Sequence, residues 1–311
     1  MIKFGVIGSG WIAEEFVKGS LITDDFEFSA MYSRTYDKGE KFASQFSECD
    51  VKIYTDLNEF AKSEIDAVYI ASPNFLHYEQ SKLMLENGKH VLCEKPITVS
   101  PDEFNELRAL ANEKNLIYTE AIMMLHNPIE KKIKEELKSL GNISTAHFDF
   151  SQLSSKYQAL LNGENPNIFN PDMKTGCLRD LGIYCFYPAV DFFGMPDEII
   201  SSAGFVKTGA DGYGTAVLNY PDKQVTLTYS KTGQDCCGSQ IIGDKGTMVF
   251  ESISKFTGVY IKYNNGDIKQ ISDNIEKHIL MAYEARNFCK FIAFRNEDTK
   301  EYEQINDIIY N

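Results

Sequence analysis

The chain lacks long apolar stretches: no run of about 18 hydrophobic residues interrupts its 311 positions, so a transmembrane helix is not expected. Positive charge is scarce too, with 31 lysines and arginines against 45 aspartates and glutamates and a formal charge of −14. A field of that sign disfavours nucleic acid and anionic membranes as partners, while leaving room for a small molecule in a locally opposed pocket. No signal-peptide core precedes the first glycine turn in MIKFGVIGSG, so a cytoplasmic protein is expected. The seven cysteines have no regular spacing, which argues against a disulfide framework and for reduced thiols. Adjacent Cys236 and Cys237 lack CxxC spacing and read as buried structural thiols. No cluster of His, Cys and carboxylates has metal-ligand spacing, so no catalytic metal is expected, and His126, His147 and His278 are assigned no chemistry.

What the sequence does have is alternation. Short β-prone apolar runs at 2–7, 26–32, 66–70, 90–93 and 116–119 are separated by helical patterns at 11–20, 36–46, 75–87 and 101–114. Gly88 is placed to cap the third of these helices, and Ser100-Pro101 to open the fourth. Such alternation predicts parallel βαβ units in a doubly wound sheet, an α/β Rossmann domain over residues 1–120. After Glu120 the pattern changes to a helix at 127–139 and then strands at 143–150, 199–208, 214–220, 225–229, 239–243, 247–251 and 259–263. Short turns join several of these strands, which predicts an α+β domain over 121–311 with a large, mostly antiparallel open sheet. A helix at 279–295 is expected to close it, and the chain ends in an acidic amphipathic segment that reads as incomplete.

Gly8-Ser9-Gly10-Trp11-Ile12-Ala13 fits GxGxxG/A in the context that gives the pattern meaning, after a strand and at the start of a helix. The first glycine permits a tight turn and the second a close backbone approach to a pyrophosphate. The small sixth residue lets helix pack on strand. Cofactor choice is read at the end of the second strand, where NAD-selective proteins place an acid for the ribose hydroxyls. This chain has Ser33-Arg34-Thr35 there, with Lys38 one turn later, a set suited to a 2′-phosphate. NADP(H) is therefore favoured, with NAD(H) possible.

Together with Ser72-Pro73-Asn74 and His77, Glu94-Lys95-Pro96 and Asp180-Leu181-Gly182-Ile183-Tyr184, the glycine turn forms an ordered series. In it the chain resembles the glucose–fructose oxidoreductase/inositol dehydrogenase (Gfo/Idh/MocA) family over nearly its whole length. Tyr184, where most members have histidine, and Gly243-Asp244-Lys245-Gly246-Thr247-Met248 make it most similar to the dimeric dihydrodiol dehydrogenase-like branch. The resemblance implies a Rossmann domain followed by a sheet domain that mediates homodimer or homotetramer contacts. It also implies NAD(P)-dependent hydride transfer to or from carbinol and carbonyl carbons of sugars, cyclitols or vicinal diols. Ser72, Pro73, Asn74, Glu94, Lys95 and Pro96 are implied beside the cofactor, with a cis Lys95–Pro96 bond. His77 is either beside the cofactor with them or a structural hydrogen-bonding residue. The branch commonly carries an aromatic and an arginine after Glu-Ala; here Glu120-Ala121 is followed by Ile122-Met123-Met124-Leu125-His126, which implies a less basic pocket wall. Arg179, at a usually apolar position, is read as a substrate contact or a partner for Asp180.

Hydride transfer needs a group that moves the hydroxyl proton. Tyr184 is the candidate acid/base, with Lys95 lowering its pKa and orienting substrate, and Asp180 positioning Lys95 or a substrate hydroxyl. Which of Lys95 and Tyr184 carries the proton is left open by the residues alone. A reading from another class, a cofactor-binding sensor without turnover, has no use for this Lys95/Asp180/Tyr184 set.

Overall fold

Strand and helix alternate through the first 121 residues of the computed structural model, which describes residues 1–295 and 297–311. The strands are β1 (Ile2–Ile7), β2 (Phe26–Tyr32), β3 (Lys52–Tyr54), β4 (Ala67–Ile70), β5 (His90–Glu94) and β6 (Tyr118–Ala121). Between them lie α1 (Trp11–Ile22), α2 (Tyr36–Ala43), α3 (Leu57–Ala61), α4 (His77–Glu86) and α5 (Pro101–Glu113), and α6 (Met123–His126) follows. Every pairing is parallel, in the order β3-β2-β1-β4-β5-β6. All four residues of β4 are buried, as expected of a strand covered by helices on both faces. The order reverses between β1 and β4, and the crevice beyond the carboxyl ends of the strands at such a switch point is where open α/β sheets bind ligands.

Three elements here are absent from the sequence reading, α6 among them, a single turn of four residues. β3 and α3 are three and five residues long, too short to show a period. Asp56 nonetheless marks the start of α3, its Oδ1 accepting the N–H groups of Asn58 and Glu59. β6 lies two residues beyond its expected 116–119.

The chain divides into two compact units, Met1–His126 with Glu276–Asn311, and Asn127–Ile275. The second unit holds α7 (Ile129–Leu137), β7 (Ile143–Ser151), α8 (Tyr157–Leu161) and α9 (Ile183–Phe193), then β8 (Glu198–Phe205), β9 (Asp211–Asn219), β10 (Gln224–Ser230), β11 (Ser239–Gly243), β12 (Gly246–Ser252), β13 (Thr257–Tyr263) and β14 (Ile268–Ser272). The strands form one eight-stranded sheet, ordered β14-β13-β12-β11-β7-β10-β9-β8, in which β7–β10 is the one parallel pair. Alternate residues of β10, Val225, Leu227 and Tyr229, are buried on one face, and α9 packs there.

The sequence reading runs the second domain to residue 311, whereas residues 276–311 return to the first unit. They form α10 (Lys277–Phe294) and α11 (Glu297–Tyr310). α10 lies so close to α1 that a Cβ on Gly19 would be 2.7 Å from the carbonyl oxygen of His278. Tyr302 donates to the carbonyl oxygen of Glu120, and Tyr310 to its carboxylate. Helical periodicity shows that such a segment has a buried face; it carries no information about which unit covers that face.

Candidate active site

In the first unit β1 delivers the chain to Gly8, whose φ of +113° is a conformation that L side chains rarely adopt. A Cβ there would lie 2.5 Å from the carbonyl oxygen of Ala71. Gly10 is the N-cap of α1; no side chain caps that end, and nothing lies within 4 Å of where its Cβ would be. The first-turn N–H groups, with Trp11 and Ile12 leading the helix, have no intrahelical partners and sit at the positive end of the helix dipole. A bare turn with open space in front of it fits a pyrophosphate. Trp11 is 64% exposed, with Lys277 Nζ 4.3 Å from its ring centre.

At the end of β2 the Ser33 N–H donates to Tyr54 O at 3.0 Å, while Arg34, Thr35 and Lys38 are exposed. Among the described residues neither Arg34 nor Lys38 pairs with a carboxylate, and the Thr35 side chain does not cap α2. Two cations without counter-ions, beside a hydroxyl at a helix N-terminus, fit a phosphate monoester better than a ribose diol.

The exits of β4 and β5 are tied together by His77. Its ring is fully buried, with Nδ1 2.8 Å from Pro96 O and Nε2 2.8 Å from Ser72 O. Burial lowers the His77 pKa against these carbonyls, which favour the charged form. The sequence reading left His77 between a structural and a cofactor role; the structure shows it joining Ser72-Pro73-Asn74 to Glu94-Lys95-Pro96. The Lys95–Pro96 peptide is cis. Glu94 accepts a hydrogen bond from Tyr69 OH, and Tyr69 in turn stacks on Phe16 of α1 at 3.8 Å. Burial raises the Glu94 pKa, against the Tyr69 hydrogen bond and the charges of Lys95 and Lys277. Just past the proline, the Ile97 N–H donates to Glu120 Oε1 at 2.6 Å. Lys95 is thus carried on a segment held by Tyr69 before it and by His77 and Glu120 after it.

His126, read as standing near the place of a pocket arginine, is 3% exposed inside the first unit, with Nε2 4.0 Å from Oε1 of fully buried Glu284. Burial takes its pKa down to about 3, so it is neutral.

In the second unit Asp180 lies on a π-helical turn, Leu178–Gly182, that runs into α9 and carries Tyr184 onward. Such turns are rare and recur at functional sites. The spacing of four that suggested an ordinary helical turn is therefore slightly underwound. Asp211 Oδ2 accepts the Leu178 N–H at 2.6 Å and fixes the start of the turn. Tyr184 is half-buried, its ring edge-on to Phe150 at 5.4 Å. Asp180 pairs with Lys231, whose Nζ is 2.8 Å from Oδ2. Lys231, only 1% exposed, was not singled out, because a lysine at a strand end ordinarily reads as solvated. Tyr69 and Asp211 were not singled out, and Glu120 was named only as the residue before Ala121, because their partners are distant in sequence.

Cys236 and Cys237 are exposed rather than buried, since they lie in the turn between β10 and β11, where Asp235 accepts the N–H groups of Cys237 and Gly238. Among the described residues no group of three or more His, Cys, Asp or Glu is placed to hold a metal. Nor is any helix among them long and apolar enough to cross a membrane.

Residues 2–122 match the model of the oxidoreductase family with NAD-binding Rossmann fold (Gfo/Idh/MocA), and residues 132–249 match the family's C-terminal domain. The chain is 35% identical over 302 residues to scyllo-inositol 2-dehydrogenase (NADP(+)) IolU of Bacillus subtilis, covering 97% of this chain and 91% of that protein. It is 30% identical over 227 residues to mouse trans-1,2-dihydrobenzene-1,2-diol dehydrogenase, covering 71% and 65%. A solved 3-ketoreductase from Actinomadura kijaniata, in complex with NADP and TDP-benzene, superimposes with a TM-score of 0.85 at 22% identity, covering 99% and 94% of the two chains, a likeness of fold.

Proposed function

The chain belongs to the Gfo/Idh/MocA oxidoreductase family, and on that premise we propose an NADP(H)-dependent dehydrogenase or reductase acting on a carbinol or carbonyl of a sugar, cyclitol or vicinal diol. The observation that carries the cofactor choice is that, among the described residues, neither Arg34 nor Lys38, beside Thr35, pairs with a carboxylate. Relatives named for scyllo-inositol, D-xylose and trans-dihydrobenzenediol support the substrate class, each a neutral compound with adjacent oxygens.

When bound, NADP(H) would supply or take up the hydride. Gly8, Gly10, Trp11 and Ile12 would hold the pyrophosphate, Ser33, Arg34, Thr35 and Lys38 the 2′-phosphate, and Ser72, Pro73, Asn74, His77, Glu94 and Pro96 would contribute to the nicotinamide end of the site. Lys95 donates to the substrate oxygen and stabilises developing alkoxide charge. Tyr184 takes or gives the hydroxyl proton, and Asp180 accepts a hydrogen bond from a neighbouring substrate hydroxyl. NAD(H) can serve as the weaker cofactor.

Arg34→Ala is expected to raise the dissociation constant of NADPH at least tenfold and that of NADH less than twofold, a loss of charge-assisted phosphate bonds. Fluorescence titration of both cofactors checks it, and equal losses would remove the phosphate pocket. Function itself is tested by following NADP(+) reduction with scyllo-inositol, D-xylose and trans-cyclohexanediol. Tight cofactor binding with no turnover on any polyol, or of matching ketones in reverse, would favour the sensor.

Assembly through the second unit's sheet into a dimer or tetramer belongs to the same proposal. Edge strand β8 is almost wholly exposed, including Ile199 at 49%, Ile200 at 57% and Phe205 at 70%. An uncovered apolar edge of this kind is a pairing surface. Ile200→Asp with Phe205→Glu is expected to yield monomers by light scattering, whereas an unchanged mass would place the interface elsewhere.

A further inference from the structure

Lys231 is the most deeply buried charge of the second unit that the assigned roles do not use. Its ammonium is 2.8 Å from Asp180 Oδ2, 5.9 Å from the Phe169 ring centre, and without a hydrogen-bond partner among the described residues. The contact is therefore an ion pair rather than a directed hydrogen bond. The two ends of the pair differ: the Lys231 side chain is 1% exposed and that of Asp180 30%. Around them lie buried Cys177, Leu181 and Tyr229, with Phe150 and Phe186 against that cluster.

The lysine cannot easily turn away. Its own N–H donates to Gly212 O at 2.8 Å, and its carbonyl accepts the Ser154 N–H at 3.0 Å. Asp180 is held from its side by the π turn, its N–H donating to Gly176 O at 3.2 Å. An ammonium in such surroundings needs a counter-charge, because a buried unpaired ion is costly. Other titratable groups facing the pair are Cys177 and Tyr229, both pushed up to about 12, chiefly by burial, and hence neutral near pH 7. Asp211 also faces it, engaged at the Leu178 N–H, and Arg179 adjoins Asp180 in the chain.

We propose that Lys231 is a positioning residue for Asp180: it holds the carboxylate ionised and aimed so that the exposed end can accept from a substrate hydroxyl. This rests on the role given to Asp180 above. A carboxylate already neutralised by a buried cation suits a neutral polyol. It would add no net charge for an anionic substrate to meet.

The test compares wild type with Lys231→Met, Lys231→Arg, Asp180→Asn and the Lys231→Met/Asp180→Asn double variant. First, melting temperatures are read at pH 7.5 and 3.0, which needs no substrate. An ammonium beside the carboxylate depresses its folded-state pKa, so that stabilisation is present above the unfolded pKa and lost as pH falls. The difference between wild type and Lys231→Met should therefore shrink at pH 3.0, below the unfolded aspartate pKa of about 3.9, and the same substitution on the Asp180→Asn background should show no such change. A difference independent of pH in both backgrounds overturns the ion pair. Second, on the polyol that turns over fastest, Lys231→Met should lower kcat about 30-fold with NADPH affinity within about twofold. The acid limb of its kcat/KM profile should move up in pH, because a carboxylate without its cation is protonated more readily. Lys231→Arg should restore the wild-type limb. If Asp180→Asn lowers kcat but Lys231→Met leaves both kcat and the limb unchanged, the positioning role is wrong. If Asp180→Asn itself changes nothing, the role of Asp180 is what fails.

Discussion

Lys95→Met is expected to lower kcat by about 10³-fold while leaving NADPH affinity within a few-fold, in line with the loss of a positioned proton-transfer or electrostatic group. The segment carrying Lys95 is fastened by contacts that do not involve its side chain: Tyr69 to Glu94, His77 to Pro96 O, and the Ile97 N–H to Glu120. Methionine keeps the length and apolar stem, so the fold of this segment should survive and only the ammonium is lost. Tyr184→Phe is the matched substitution on the second unit, removing one hydroxyl while keeping the edge-on packing against Phe150. Stopped-flow absorbance of NADPH separates the roles. If Tyr184 carries the proton, Tyr184→Phe should flatten the pH dependence of kcat while Lys95→Met lowers kcat and leaves that dependence in place. If Lys95 carries it, the flattening belongs to Lys95→Met. Wild-type turnover in both variants would sink the assignment.

Gly8→Ala is expected to cost about 1–3 kcal/mol of stability from backbone strain alone, for a side chain held at positive φ. A Cβ 2.5 Å from Ala71 O adds a contact with backbone, which cannot swing aside. Ala71 follows β4 directly, so relief of that clash must move the β1–β4 switch point, and cofactor affinity should fall at least 100-fold. Gly10→Ala is the control, because its φ of −80° is ordinary and no atom lies within 4 Å of its Cβ position. It should melt as the wild type does, and its cost should appear only in cofactor binding. Thermal melts and NADPH titrations of the two variants check this, and equal melting temperatures would show that Gly8 is not structurally required.

Much of the first unit was legible because its signals are local. A strand, a glycine turn and a helix stand within 22 residues of one another, and the spans expected for β1 and β2 agree with the structure. The family series placed Glu94-Lys95-Pro96 at the carboxyl end of β5, where the sheet order puts it beside the switch point strands. Less was legible where elements are short or partners distant. β14, Ile268–Ser272, has only two isoleucines among its five residues and no readable alternation. Cys236 and Cys237 were misjudged because burial of a small thiol is a statistical tendency of the residue, whereas their exposure follows from a turn shaped by Asp235.

By itself the sequence determined the strand–helix order of the Rossmann unit, the glycine turn at Gly8–Gly10 and the absence of an acid beside Arg34, because each depends on neighbours along the chain. Only the tertiary structure decided that α10 and α11 close over the first unit, that His77 joins two loop exits, and that Asp180 answers to a buried lysine 51 positions away. The physical reason is the same in each case. Periodicity and turn chemistry specify which face of a segment must be covered, while the identity of the covering partner is settled by packing and charge compensation across the folded chain.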